Sequence, residues 1–145
     1  MVDYTIPAVD SGLGIPAKTS DTIGPTPDAV FLSSHPAAVT FAEVVAASQT
    51  LAAWTVVGKD TNGRLVKATW NATPANAINP IGVLAEAVTT DASTNYKGAL
   101  VCKTGHFNFD RLVFDATFDT DAKKLASMRT LQPNIKVDQT KFYTP

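Results

Sequence analysis

Cys102 and His106 stand four positions apart, and a thiolate beside an imidazole is the smallest pair that could supply a nucleophile and its base. Such a pair also needs a third group to orient the imidazole and a pocket for the developing oxyanion, and the sequence marks neither. As metal ligands the two fall short as well. A structural zinc site takes four ligands and a catalytic one three, and the only other histidine is His35. Cys102 lies inside an apolar run, where a free cysteine behaves as a small buried hydrophobe, so we expect core packing for it and a turn or surface role for His106. Asp110, Asp115, Asp119 and Asp121 lack the alternate spacing and closing glutamate of a calcium loop, and read as helix caps and solvated turns. Gly58 to Gly63 has no Lys-Ser/Thr ending and opens no helix, so it is not a phosphate loop. Asn71-Ala72-Thr73 has the form of a glycosylation acceptor, but no secretory signal precedes it. Phe107, Phe109, Phe114 and Phe118 suit core or subunit-interface packing better than base stacking, because no basic groove accompanies them.

Composition narrows the classes further. Twelve Lys and Arg against 13 Asp and Glu leave a net charge of −1, with cations scattered singly apart from Lys123-Lys124, so no nucleic-acid footprint is present. A hydrophobic fraction of 45% can build a core, while 17% charged residues is below the usual quarter and fits an outside covered by partners. One cysteine excludes an internal disulfide framework and fits a reducing compartment. Met1-Val2-Asp3-Tyr4 has neither a basic start nor an apolar run behind it, and no stretch approaches the roughly 20 apolar residues of a membrane span. The expectation is a soluble, non-enzymatic protein with no cofactor, metal or membrane partner, whose work is done by its surface. The rival from another class is an enzyme built on Cys102 and His106.

The elements that must carry such a surface are mostly strands. Pro80–Val88 is an apolar run of one strand's length, and Thr89–Asn95 leads from it to a second, Lys97–Thr104, which Gly105 breaks. A loop of that length predicts an antiparallel pair, and the lack of alternation in the first strand predicts apolar neighbours on both faces. Asn62-Gly63, between Val56-Val57 and Leu65–Trp70, predicts a hairpin with a type I′ turn. Val39–Ala47 is ambiguous, since Thr40 and Glu43 have capping-box spacing but the run is rich in β-branched residues. Phe118–Met128 predicts the one helix, capped by Asp119 or Thr120, with Ala122, Leu125, Ala126 and Met128 as its apolar stripe. Ile135–Val137 reads as a last edge strand. Residues 1–28 alternate prolines and glycines with few large apolar groups, too few to offset the ~1–2 kcal/mol per residue that fixing a backbone costs. They are either a loose terminus or an arm that orders by adding a strand to a partner, anchored by Tyr4, Ile6, Val9 and Ile15. Residues 29–145 form the single folded domain.

Taken together, several segments resemble the phage lambda head decoration proteins, the small cement proteins of capsids. They are Leu65-Val66-Lys67-Ala68, Ile81-Gly82-Val83-Leu84-Ala85, the series Lys103 to Phe114, and Asp121-Ala122-Lys123-Lys124, in order from about Val30 to Val137. The family often has glycine where this chain has Ser48 and Trp54. The resemblance favours a strand for Val39–Ala47. It implies a mainly β fold, a small β-barrel or β-tulip-like body with one short helix and an extended N-terminal arm. It further implies a homotrimer on the outer surface of the expanded head, in the virion, with assembly in the host cytoplasm. There the arm would join strands of the major capsid protein and the shell would resist the pressure of packed DNA. Trp54, Phe107 and Phe109 are the expected trimer or capsid contacts. Another virion part, such as a head fibre, spike or tail component, is the alternative.

Overall fold

The computed structural model describes residues 29–139. The strands are β1 (Phe31–Ser33), β2 (Val39–Val45), β3 (Thr50–Leu51), β4 (Val56–Lys59), β5 (Leu65–Lys67), β6 (Pro80–Leu84), β7 (Val88–Thr89), β8 (Tyr96–Asn108) and β9 (Ile135–Asp138), with one α-helix, α1 (Asp121–Arg129), before the last. The fold is mainly β, as expected.

β8 organises it. This strand of 13 residues pairs with β2 and β6 along its first part and with β1 and β9 along its last. The order β8-β2-β5-β4-β6, closed by β6 pairing back to β8, makes a ring of strands. Neighbouring residues on these strands belong to two different apolar clusters. Val45, Val57, Leu65, Leu84, Ala99 and Val101 draw on all five strands of the ring and form one cluster with Leu51 and Val88. Val56, Val83 and Cys102 point the other way, into a cluster with Phe107, Leu112, Phe118, Met128 and Ile135. A strand covered on both faces needs apolar residues at consecutive positions, which is why Pro80–Leu84 does not alternate.

The expected antiparallel pair is present, with Val83 opposite Cys102 and Leu84 opposite Val101. Its strands have different bounds. β6 ends at Leu84, the chain turns where Glu86 accepts a hydrogen bond from the Leu100 N–H (3.3 Å), and Val88 resumes as β7 against β3. Gly105 does not break the second strand: it takes φ 147°, which a glycine adopts freely, and β8 continues to Asn108. The hairpin at Asn62-Gly63 also forms, with Lys59 opposite Leu65, but not through a type I′ turn. In this loop only Gly63 has a positive φ (76°), and the Asp60 carboxylate accepts from the Asn62 and Arg64 N–H groups at 2.8 and 2.9 Å. An aspartate that satisfies the loop's amides supports a longer turn than two residues need.

Val39–Val45 is strand: the β-branched side chains outweigh the capping-box spacing once β8 supplies a partner along the whole length. α1 starts where Thr120 Oγ1 accepts from the Lys123 N–H, so Thr120 and not Asp119 is the cap. Its apolar stripe is narrower than expected. Met128 is buried and Leu125 half-buried, whereas Ala122 and Ala126 are exposed, because the helix touches the body along one edge, beside β9. β9 runs parallel to β8, with Ile135 opposite Gly105.

Candidate interaction surface

The groups with chemical potential are dispersed by this fold. Cys102 is buried opposite Val83, and burial raises its thiol pKa above the ordinary value, away from the thiolate a nucleophile needs. His106 is four residues further along an extended strand, about 13 Å away at the usual rise per residue. Of the turn or surface role expected for it, the turn is not found: it lies half-buried in β8 between two other strands, at the sheet surface. Its Nδ1 is 2.9 Å from Ser33 Oγ and its Nε2 2.7 Å from Asp138 Oδ2. Ser33, His106 and Asp138 thus form a hydrogen-bonded line across β1, β8 and β9. Ser33 Oγ also lies 2.8 Å from the His35 carbonyl, to which it can donate. The line ties three strands side to side at the sheet surface.

The aspartates have local duties. Asp115 accepts from the Thr117 N–H (3.0 Å), Asp119 pairs with Lys123 (2.8 Å) and Asp121 with Lys124 (3.6 Å). Among the described residues no three His, Cys, Asp or Glu side chains are grouped to hold a metal, and no helix is long and apolar enough to cross a membrane. Two clefts of about 300 and 220 Å³ flank α1, and neither is lined by Cys102 or His106.

The surface tells more. Phe107 is 0% exposed and Phe109 5%, so both are core residues of the subunit and offer no face to a partner. Their aromatic neighbours explain the burial: Phe31 packs on Phe107 with centroids 5.0 Å apart, and Phe114 on Phe109 at 5.6 Å. Trp54 is half-buried and meets Phe31 edge-on at 5.5 Å. It holds a positive φ of 65°, and Ser48 one of 59°, so the backbone bends in the left-handed sense at both positions although neither residue is glycine.

Among the described residues, the large apolar side chains most exposed to solvent are Phe31, Val39, Phe41, Trp70, Tyr96, Leu100 and Val113, all 37–47% exposed. Sequence reasoning missed them. Val39 and Phe41 alternate with small and polar residues in β2, and that alternation was a visible signal of one open face. Beside Phe41 lies a charged cluster. Glu43 bonds Lys103, and its other oxygen is 3.1 Å from Lys59, while Lys103 stands 5.1 Å from the Phe41 ring centroid. The Lys103 hydrogen bond, with help from Lys59, holds the Glu43 carboxyl below its ordinary value. Trp70 is covered on one side by Lys123, 3.8 Å from its centroid.

At the other end of β8, Asn108 is fully buried and holds the first described residues in place. Its N–H donates to the Val30 carbonyl (2.7 Å), its Nδ2 to the Ala29 carbonyl (3.0 Å), and its Oδ1 accepts from Asp110 (3.1 Å). Residues 1–28, with Tyr4, Ile6, Val9 and Ile15, lie outside the described residues.

No curated protein matches the chain. Residues 21–134, which include the whole ring of strands and the helix, match the family of bacteriophage lambda head decoration protein D, and the chain therefore belongs to that family of phage head decoration proteins.

Proposed function

We propose that this head decoration protein is a cement subunit that binds the outer surface of the expanded head as a homotrimer. There it stabilises the shell against the pressure of packed DNA. The observation that carries the reading is the span of the family match, residues 21–134, which takes in the ring, one apolar cluster entire and the other up to Ile135, and not one isolated motif. The dispersal of Cys102, His106 and the aspartates is consistent with a structural protein. Its partner would be the major capsid protein, contacted by residues 1–28 through strand addition, with Tyr4, Ile6, Val9 and Ile15 as anchors. Trp54 would contribute a contact through its exposed part. Phe107 and Phe109 act from inside, by shaping the body.

The test is sedimentation with expanded heads. The body has its own core from Val45 to Ile135, so a chain lacking residues 1–28 should stay folded by circular dichroism and remain in the supernatant. Undiminished sedimentation would remove the arm from the account. Tagged subunits found on the tail, and not on the head, would end the reading itself.

A further inference from the structure

We propose that Ser33, His106 and Asp138 form a proton-dependent clasp, which holds β1 and β9 against β8 while the His106 ring is an imidazolium and slackens when the ring is neutral. The inference needs neither a trimer nor a capsid, so it stands apart from the function proposed above.

The first observation is that both outer strands depend on β8 alone. β1 has three residues and a shifted register, with Phe31 opposite Phe107 and Ser33 opposite His106. β9 pairs with the other side of β8, where Lys136 is opposite His106. Among the described residues neither strand has a second partner. His106 stands between them with its side chain 17% exposed, and its two ring nitrogens reach one to each strand. β1 is the first strand after residues 1–28, so whatever holds it governs how firmly that segment is rooted.

The second observation is a count of protons. The Ser33 hydroxyl has one proton to give and two lone pairs. The His35 carbonyl, 2.8 Å away, can only accept, so the proton goes there. One lone pair takes the His35 N–H (3.3 Å), and the other is left for His106 Nδ1, at 2.9 Å. Nδ1 therefore carries a hydrogen. The Asp138 carboxylate also only accepts, so Nε2, at 2.7 Å, carries one as well. Only the imidazolium has both. A neutral ring that keeps Asp138 sets a bare nitrogen against the Ser33 lone pair, and one that keeps Ser33 sets it against the carboxylate. In a third arrangement Ser33 turns its proton to Nδ1 and gives up the His35 carbonyl. Every neutral form is one bond short, and the third is the rival because it keeps the strands tied.

The charged groups around the ring are Asp138 and Lys136 on β9 and, across the cleft that Asp138 lines, Arg129 of α1. β1 brings none, and His35 follows it with its own Nδ1 3.0 Å from Ser34 Oγ. On β8 the nearest charge, Lys103, is held by Glu43. Lys136 and Arg129 oppose a third cation, and the direct contact with Asp138 is what favours it. A contact that needs the proton is complete in acid and is lost as the pH rises through the imidazole range, about 6.5 in peptides.

The experiment follows the full chain and the variants His106→Gln, Ser33→Ala and His35→Gln between about pH 5 and pH 8, where carboxylates stay ionised. Amide exchange, corrected for its intrinsic pH dependence, gives protection strand by strand, and nitrogen NMR spectra give the cationic fraction of each imidazole. We expect protection of Phe31–Ser33 and Ile135–Asp138 to fall roughly threefold or more across this range while β4 and β6 hold steady. The fall should vanish in His106→Gln and persist in His35→Gln. Should His106→Gln not fold, Asp138→Asn, at a side chain 68% exposed, takes its place and must likewise abolish the fall. Ser33→Ala should lower the cationic fraction of His106 at about pH 6.5, because Ser33 accepts from the cation. A rise would show that Ser33 donates to the neutral ring, and overturns the proposal. So does protection that is flat with pH, that falls equally in β4 and β6, or whose fall depends on His35.

Discussion

Ser48 and Trp54 hold left-handed backbone with ordinary side chains, at φ 59° and 65°. That conformation costs an L-residue roughly 1–2 kcal/mol, which glycine avoids. Ser48 is exposed and its N–H still reaches the Asp91 carbonyl at 2.7 Å whatever the side chain, so Ser48→Gly should stabilise the fold by about 1 kcal/mol in urea unfolding. Trp54 is the opposite case. Full truncation of a buried tryptophan costs roughly 3–5 kcal/mol, and even half of that exceeds the strain relieved. Trp54→Gly should therefore destabilise by about 1 kcal/mol, because the packing on Phe31 outweighs the backbone gain. Glu43 gives a pH signature. Its carboxyl is held below the usual glutamate value of about 4.5, chiefly by Lys103, so its contribution is complete above that value and disappears as the pH falls through the folded one. Glu43→Gln should lower stability at pH 7 by about 1–2 kcal/mol and flatten its acid dependence below about pH 4.5. An unchanged acid limb would show that the two lysines contribute nothing.

At the scale of elements, β8 carries the design, and Asn108 at its end ties down Ala29 and Val30, the first described residues. Asn108→Ala would leave the Ala29 carbonyl and the Asp110 N–H without their side-chain partner inside the protein. The expected loss is about 1–3 kcal/mol, with faster amide exchange at the β1 end than in β4 or β6. Uniform acceleration would mean that Asn108 stabilises the whole and not that junction. The same element shows what the sequence made legible. The apolar runs Pro80–Leu84 and Ala99–Cys102 were readable as strands because both their faces are covered, and the helix was readable from Thr120 and the acidic first turn. The extent of β8 was not, since Gly105 reads locally as a stop and only β1 and β9, one of them remote in sequence, keep it extended. Phe107 and Phe109 failed as contact residues for a related reason. An aromatic pair at alternate positions looks alike on a surface strand and in a core, and what distinguishes them is Phe31 and Phe114 arriving from elsewhere.

At the scale of the whole molecule, a small body with low surface charge has little area with which to grip a shell. On the trimer reading proposed above, its affinity would come from repetition. If three arms leave one trimer, binding of the first places the others at an effective concentration near millimolar, and overall affinity rises by roughly 10²–10⁴ over a single arm without any new contact. This yields a prediction about the arm by itself. A peptide of residues 1–28 should bind expanded heads at least a hundredfold more weakly than the intact protein, and should displace it only at a correspondingly large excess. It would also bear the whole entropy of ordering its own backbone, with no second arm to share the encounter. Fluorescence competition on purified heads measures both quantities. Equal affinity of peptide and protein would show that one arm suffices and that the body contributes only bulk. A peptide without any affinity, beside a protein that binds, would move the grip from residues 1–28 to the exposed apolar side chains of the body, Phe41 and Leu100 first among them.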